Sequence, residues 1–335
     1  MRYRSMLRMS SVVTAIALLA AGCGKDAADG ADGAGQFEAG PTELVVHTGP
    51  GGGSDVFARE IVALMERESL VEKSAWTVRN ESGGSGTAAM AYLLRLTGKT
   101  GTVAMTTPTW ITTPLTTAGA AVTLDKLTPI AQLVTEPLVM AVRADAPYQN
   151  LQDFIAAAKR TPGALVQAGG SPTSVDAISA EVIKKTTGTD WNYLPFEGGG
   201  ERIAAVLSGD AHMMFGSPSD FGEQVRAGKM RVIATIGDKA TAMFPNAQTL
   251  PAAGLDIDVP EQQRGLVGPP GMPAQAVAHY QDLMQPLTQT SAWKTFVDDN
   301  GLTTVYADSK QFGANIKEQT ELLRSQLDSL GLLAK

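Results

Sequence analysis

From Glu43 onward, short apolar runs alternate with amphipathic stretches of roughly ten to fifteen residues, and this alternation restricts the fold more than any other feature of the chain. "ELVVHT" reads as a strand, Ser54 to Glu68 as a helix with Ser54 as its N-cap, "AWTVRN" as a strand, "TAAMAYLLRL" as a helix and "GTVAMTT" as a strand. Further on, "LTPIAQLVTEPLVMAVRAD" reads as extended, "NLQDFIAAAKR" as a helix capped by Asn150, and "GALVQAGG" as a strand that delivers "SPTS". A helix "VDAISAEVIKKTTG", a strand "DWNYLPF" and a helix "ERIAAVLSG" follow, and beyond "QRGLVGPPGMP" the chain is mostly helical. Ala274 to Gln289, Ser291 to Asp299 and Ser309 to Leu330 are each amphipathic. The pattern predicts parallel sheets covered by helices on both faces. With 335 residues and 44% hydrophobic content, the chain can build two domains or lobes.

Two junctions stand apart. "TGPGGGSD" (Thr48 to Asp55) and "FEGGGERI" (Phe196 to Ile203) each put three consecutive glycines between a predicted strand and a predicted helix. A turn that needs positive φ is served by one glycine. A run of three lets the backbone approach a ligand, and first-turn amides with the helix dipole form a receptor for an anion. In open parallel sheets, ligands lie beyond the carboxyl ends of the strands, which adds Thr106 and Thr107 as candidate contacts.

The first 22 residues have the order of a secretory signal: basic "MRYRSMLR", apolar "VVTAIALLAAG", then small residues leading to Cys23, the single cysteine of the chain. One thiol makes no intramolecular disulfide. The stretch "GKDAADGADGAGQ" after it is small and acidic and reads as a flexible linker.

Removing Arg2, Arg4 and Arg8 with the leader leaves 24 basic residues against 34 acidic ones, which argues against nucleic acid as a partner. His47, His212 and His279 lie far apart in sequence, and no metal site or cofactor is expected. Leu93 stands where a P-loop ending at Gly98 would need glycine, "GGSGTA" lacks the full dinucleotide spacing, and no G-x-S-x-G elbow occurs. Asp55, Glu136, Glu197 and Glu201 show no spacing that demands acid–base work, and most of them read as solvated surface charge. Trp110, Trp191 and Phe196 read as core or lobe-surface aromatics, and Met213 and Met214 as strand core.

"GPGGGSDVFAR" from Gly49, "NESGGSGT" from Asn80, "YLPFEGGGERIAAVLSGDAHMMFGS" from Tyr193 and "QRGLVGPPGMP" from Gln263, in this order, resemble the solute-binding receptors of tripartite tricarboxylate transporters, the Bug/TctC type. "LAAGC" resembles the bacterial lipobox, in which the cysteine is lipidated, so Cys23 is the expected membrane anchor. The resemblance implies an α/β, two-lobed periplasmic-binding-protein-like fold of type II, each lobe a largely parallel sheet flanked by helices, with a ligand cleft between them. It implies a receptor and not an enzyme: an extracytoplasmic protein that closes on a small carboxylate-bearing solute and delivers it to membrane permease subunits. A monomer is expected. Carried onto this chain, the resemblance places the solute against Gly49, Pro50, Gly51, Gly52, Gly53, Ser54 and Asp55, with Thr48 leading in, and against Phe196, Glu197, Gly198 and Gly199. The turn Ser171, Pro172, Thr173 and Ser174 lines the same cleft.

The expected organisation is a leader over 1–22, lipidated Cys23 and a linker over 23–40, a first lobe over 41–140 plus 262–335, and a second lobe over 141–261. The sequence departs from its relatives where "HTGPGGG" replaces an aromatic or proline, and where Glu197 stands in place of lysine or arginine. Either Glu197 and Asp55 both point away from the solute, or one binds a donor group on it. Two rivals are a receptor of an ABC or TRAP transporter, anchoring its carboxylate on an arginine side chain, and a secreted lipid-anchored hydrolase. The paired glycine runs argue against the first.

Overall fold

A computed structural model describes residues 40–334 with the exception of Glu197. The leader, Cys23, the linker and Glu197 therefore lie outside the described residues. Along the chain come β1 (Thr42–Val46), α1 (Gly53–Arg67), β2 (Trp76–Asn80), α2 (Thr87–Leu94), β3 (Thr102–Thr106), α3 (Thr109–Thr116) and β4 (Thr128–Glu136). Then follow β5 (Leu138–Arg143), α4 (Leu151–Arg160), β6 (Val166–Gly169), α5 (Val175–Thr187), β7 (Asn192–Pro195), α6 (Gly199–Ser208), β8 (Met213–Gly216), α7 (Pro218–Arg226) and β9 (Met230–Ile236). The chain ends with β10 (Gln262–Gly268), α8 (Ala274–Leu287), α9 (Ser291–Asp299), β11 (Thr303–Ala307) and α10 (Ser309–Ser329).

The strands form two sheets, one ordered β11-β4-β10-β3-β1-β2 and the other β7-β6-β8-β5-β9. Each is mixed. β1 pairs in parallel with β2 and β3, and β6 with β7 and β8, as strand–helix–strand units require. The remaining pairings, of β10 and β11 with their neighbours and of β5 with β8 and β9, are antiparallel. The parallel character expected from the sequence therefore holds for the strand–helix–strand half of each sheet. The antiparallel half exists because the chain passes between sheets in extended form, from β4 through Pro137 into β5, and returns from β9 into β10.

Helices cover both faces of each sheet. In α1, Phe57, Ala58, Ile61, Leu64 and Met65 recur at spacings of one, three and four and pack with Leu44 and Val46 of β1. Val45, pointing the other way, packs with Met90 and Leu93 of α2. Leu44 has no exposed surface, so Leu44→Ala removes contacts that cost about 2–5 kcal/mol. In the second sheet, Met140 and Phe215 face Phe154 of α4, while Val139 and Met214 face Val206 of α6 and Phe221 of α7. Met213, Met214, Trp110 and Trp191 are all core.

Asn150 caps α4, its side chain accepting from the Asp153 amide at 2.9 Å. Ser54 does not cap α1: the helix begins at Gly53 with Gly52 in the cap position, and Ser54 is buried inside the first turn. Two elements carry little sequence signal. α3 is threonine-rich with Pro114 inside it, and β11 is a largely exposed edge strand in a stretch that otherwise reads as helical.

Candidate functional site

The two glycine runs sit at the carboxyl ends of β1 and β7, each opening a helix. In the first, Gly51 has φ +78°, and its amide donates to the Asp55 carboxylate at 2.9 Å. Thr48 supplies two further ties: its hydroxyl accepts from the Asp55 amide at 3.2 Å, and its carbonyl accepts from Asn80 at 2.8 Å. Asn80 and Arg59 each donate to the other oxygen of Asp55 at 2.9 Å. Asp55 is 2% exposed, and both of its oxygens are occupied in shaping the loop. It is not solvated surface charge. The Arg59 hydrogen bond, aided by Gly51 and Asn80, lowers its pKa to about 2. Within the described residues, the amides of Gly53 and Ser54 have no hydrogen-bond partner, as the first turn of a helix leads one to expect.

Steric demands differ from glycine to glycine. A Cβ on Gly52 would stand 2.6 Å from the Thr48 Cβ, so loop packing explains that residue. The run Gly198, Gly199 and Gly200 contains no positive φ, and a Cβ on Gly198 or Gly200 would meet nothing within 4 Å. Neither backbone strain nor internal packing accounts for glycine at those two positions.

The second lobe repeats the device of the first. Asp176, buried in the opening turn of α5, accepts from the Gly170 amide at 3.0 Å and from the Tyr193 hydroxyl at 2.9 Å, and also from Ser174. This holds the Ser171–Ser174 turn, in which the Ser171 carbonyl accepts from the Ser174 amide at 2.9 Å. Phe196 is tied back by its amide to the Gly169 carbonyl at 2.9 Å. Thr106 and Thr107 are buried at the end of β3, with Thr107 hydrogen-bonded to Thr109 at 2.6 Å.

Thr48–Asp55 and Thr106–Thr107 thus share one edge of the first sheet, since β1 and β3 are parallel neighbours. Ser171–Ser174, Phe196 and Gly198–Gly199 share the corresponding edge of the second, since β6 and β7 are parallel neighbours. The edges touch where Ser217, capping α7, donates its hydroxyl to Glu136 at the end of β4. Glu136 is also buried, against its reading as solvated charge, and accepts from Arg264 Nε at 2.8 Å and Nη2 at 2.5 Å and from Gln262 at 2.5 Å. Burial pushes the Glu136 carboxyl up, but the Arg264 charge and the hydrogen bonds from Ser217, Gln262 and Arg264 outweigh it and hold the group below its ordinary range.

Two arginines that the motif reading passed over stand beside the glycine runs. Arg264 Nη2 lies 3.8 Å from where a Gly53 Cβ would be, and Arg202 Nη2 lies 3.5 Å from where a Gly199 Cβ would be. Arg264 lies within "QRGLVGPPGMP", and Glu136 is the one charge inside the apolar run "LVTEPLVM", so both had a faint signal. His47, next to the first run, stays neutral: burial, and then the Arg264 charge, lower its pKa to about 4. Its ring meets Trp110 edge-on at 6.0 Å.

Two mixed sheets sandwiched by helices, joined by two crossings and bearing loops on touching edges, make the two-lobed fold of solved periplasmic binding proteins. Residues 62–332 match the family described as tripartite tricarboxylate transporter family receptor, and the chain belongs to that family. It is 27% identical over 300 residues to a UPF0065 protein of Cupriavidus necator, covering 89% of each chain. It is 23% identical over 324 residues to BugT of Bordetella pertussis, covering 94% of this chain and 96% of that protein. Among solved structures, an R. palustris protein with adipate superposes with a TM-score of 0.79 at 19% identity, covering 87% of this chain and 97% of that one. MatC from Rhodopseudomonas palustris with bound malate gives 0.75 at 21% identity, covering 87% and 100%. The family consists of extracytoplasmic solute-binding receptors that work with transporter permeases, not of enzymes.

Proposed function

We propose that this chain captures a small carboxylate-bearing solute between its lobes and delivers it to the permease of a tripartite tricarboxylate transporter. In this reading the lobes comprise 41–137 with 262–335, and 138–261, a first boundary three residues earlier than the 41–140 expected from the sequence because Leu138 already opens β5 of the second sheet, and the crossings at Pro137 and between β9 and β10 act as the hinge. The solute's carboxylate is held by first-turn amides of α1 and α6, with the Ser171–Ser174 turn and Thr106–Thr107 completing the walls. Asp55 builds its loop and does not contact the solute. A monomer tethered through lipidated Cys23, on the outer side of the cell membrane, completes the proposal.

The observation that carries it is the run Gly198–Gly200. Nothing in backbone conformation or packing demands glycine at Gly198 or Gly200, whereas close approach of a ligand to bare backbone does. The bound adipate and malate of structurally similar proteins support an acidic solute. A thermal-shift screen of the mature protein against mono-, di- and tricarboxylates tests the reading. At least one acid is expected to raise the melting temperature in a concentration-dependent way, and no shift with any of them overturns it.

A further inference from the structure

We propose that Arg202 is a specificity-determining residue of the cleft and that its guanidinium takes a second acidic group on the solute, which makes the preferred solute a diacid. This rests on the receptor reading above and adds to it a side-chain anchor that a purely main-chain grip lacks.

Arg202 lies one turn into α6, on the same face as Gly199, with Nη2 beside that glycine. Its charge acts on Tyr193, whose hydroxyl reaches Gly170 just beyond β6 and Asp176 in the opening turn of α5, and on Asp220 in the opening turn of α7. Asp220 also feels Glu136 and Arg264 from the first lobe. The guanidinium therefore stands at the opening of α6, beside Gly199 and within electrostatic reach of Tyr193 and Asp220.

The two arginines differ in what they have left to give. Arg264 spends Nε and Nη2 on Glu136, and that pair is neutral as a unit. Among the described residues, Arg202 Nε is buried without a hydrogen-bond partner. Asp220 makes no hydrogen bond to Arg202 among the described residues: one of its oxygens accepts the Ser217 amide at 3.1 Å, and burial pushes its carboxyl up. A buried donor without an acceptor is costly, and a planar guanidinium fork fits a carboxylate with two parallel bonds. An acidic group already held at the glycine amides leaves Arg202 to be satisfied by another on the same solute. In a chain with net charge −7, such local positive charge is what offsets the field on a dianion.

The test is calorimetric titration of the mature protein with succinate, glutarate and adipate and with their monoacid counterparts butyrate, valerate and hexanoate. The best diacid is expected to bind on the order of tenfold or more tighter than its monoacid, the worth of one charge-assisted hydrogen bond. In R202Q this ratio is expected to fall to about one, because the diacid loses more affinity than the monoacid. Equal affinity of the wild type for diacids and monoacids, or an unchanged ratio in R202Q, overturns the assignment of Arg202 while leaving the receptor reading standing. Binding of no acid by the wild type overturns both. Should R202Q fail to fold by circular dichroism, R202K is read in its place, because it keeps the charge and loses the fork: a lowered ratio supports the assignment and an unchanged one overturns it.

Discussion

Ser217, capping α7 of the second sheet, donates its hydroxyl to Glu136, the last residue of β4 in the first. The same carboxylate accepts two bonds from Arg264, whose guanidinium stands beside Gly53 and 5.2 Å over the Phe57 ring. The crossing at Pro137, the first glycine run and the cap of a helix beside the second sheet are thus joined through one buried ion pair. Glu136→Gln leaves Arg264 buried without its counter-charge, and its expected cost is about 3–5 kcal/mol, read by urea denaturation at pH 7. Pairing it with Arg264→Met is expected to recover much of that loss, and a double variant no more stable than E136Q would refute the pairing as its cause.

The glycines divide into two kinds by their steric surroundings. Gly51 has φ +78°, so Gly51→Ala is expected to cost about 1 kcal/mol of stability. Gly198→Ala meets open space at an ordinary φ and is expected to leave stability unchanged or raise it by about 0.4–1 kcal/mol. Ligand-induced thermal stabilisation is nevertheless expected to vanish in G198A. A G198A protein that melts like wild type and responds equally to acids would remove the second glycine run from the site.

Acid stability carries the mark of Asp55. Its folded pKa, about 2, lies below its unfolded value near 3.8, so its contribution is fully present above that value and is lost as pH falls through 3.8 toward 2. Glu136, also depressed from 4.5, acts in the same direction. Asp220 is raised instead, so its protonation favours the folded state as pH falls and partly offsets them. Asp55→Asn is expected to cost about 1–3 kcal/mol at pH 7 and to flatten the decline between pH 4 and pH 2. Parallel wild-type and D55N stability curves over that interval would count against the assignment.

Closure on the solute predicts a smaller radius of gyration in small-angle scattering when a stabilising acid is present, because contacts made by both lobes favour the closed form. Unchanged scattering at saturating acid would argue for a cleft that does not move.

Much of the architecture was legible because strand and helix signals are local. The cap at Asn150, the periodicity of α1 and the helical runs after Gly268 need only neighbours within a few turns. Where local signal was weak, elements went unseen: α3 forms from threonines and an internal proline because Trp110 and Ile111 bury against the sheet, and β11 is held by its pairing with β4. The glycine runs were visible as motifs. The side chains that shape and charge them were not, because Asp55 and Glu136 look like any other surface carboxylates until their partners are in place.

Chain order alone settled the α/β class, the helix openings at the two glycine runs and the acidic balance, because each depends on residue identity and short-range spacing. Folding in three dimensions settled that Asp55 and Asp176 are loop anchors, that Glu136 and Arg264 form a buried pair 128 residues apart, and that Arg202 Nε is buried with no hydrogen-bond partner among the described residues. Burial and pairing are properties of contacts between distant segments, and a carboxylate or guanidinium carries no mark in the sequence of whether its partner will be water, a backbone amide or an ion across the hinge.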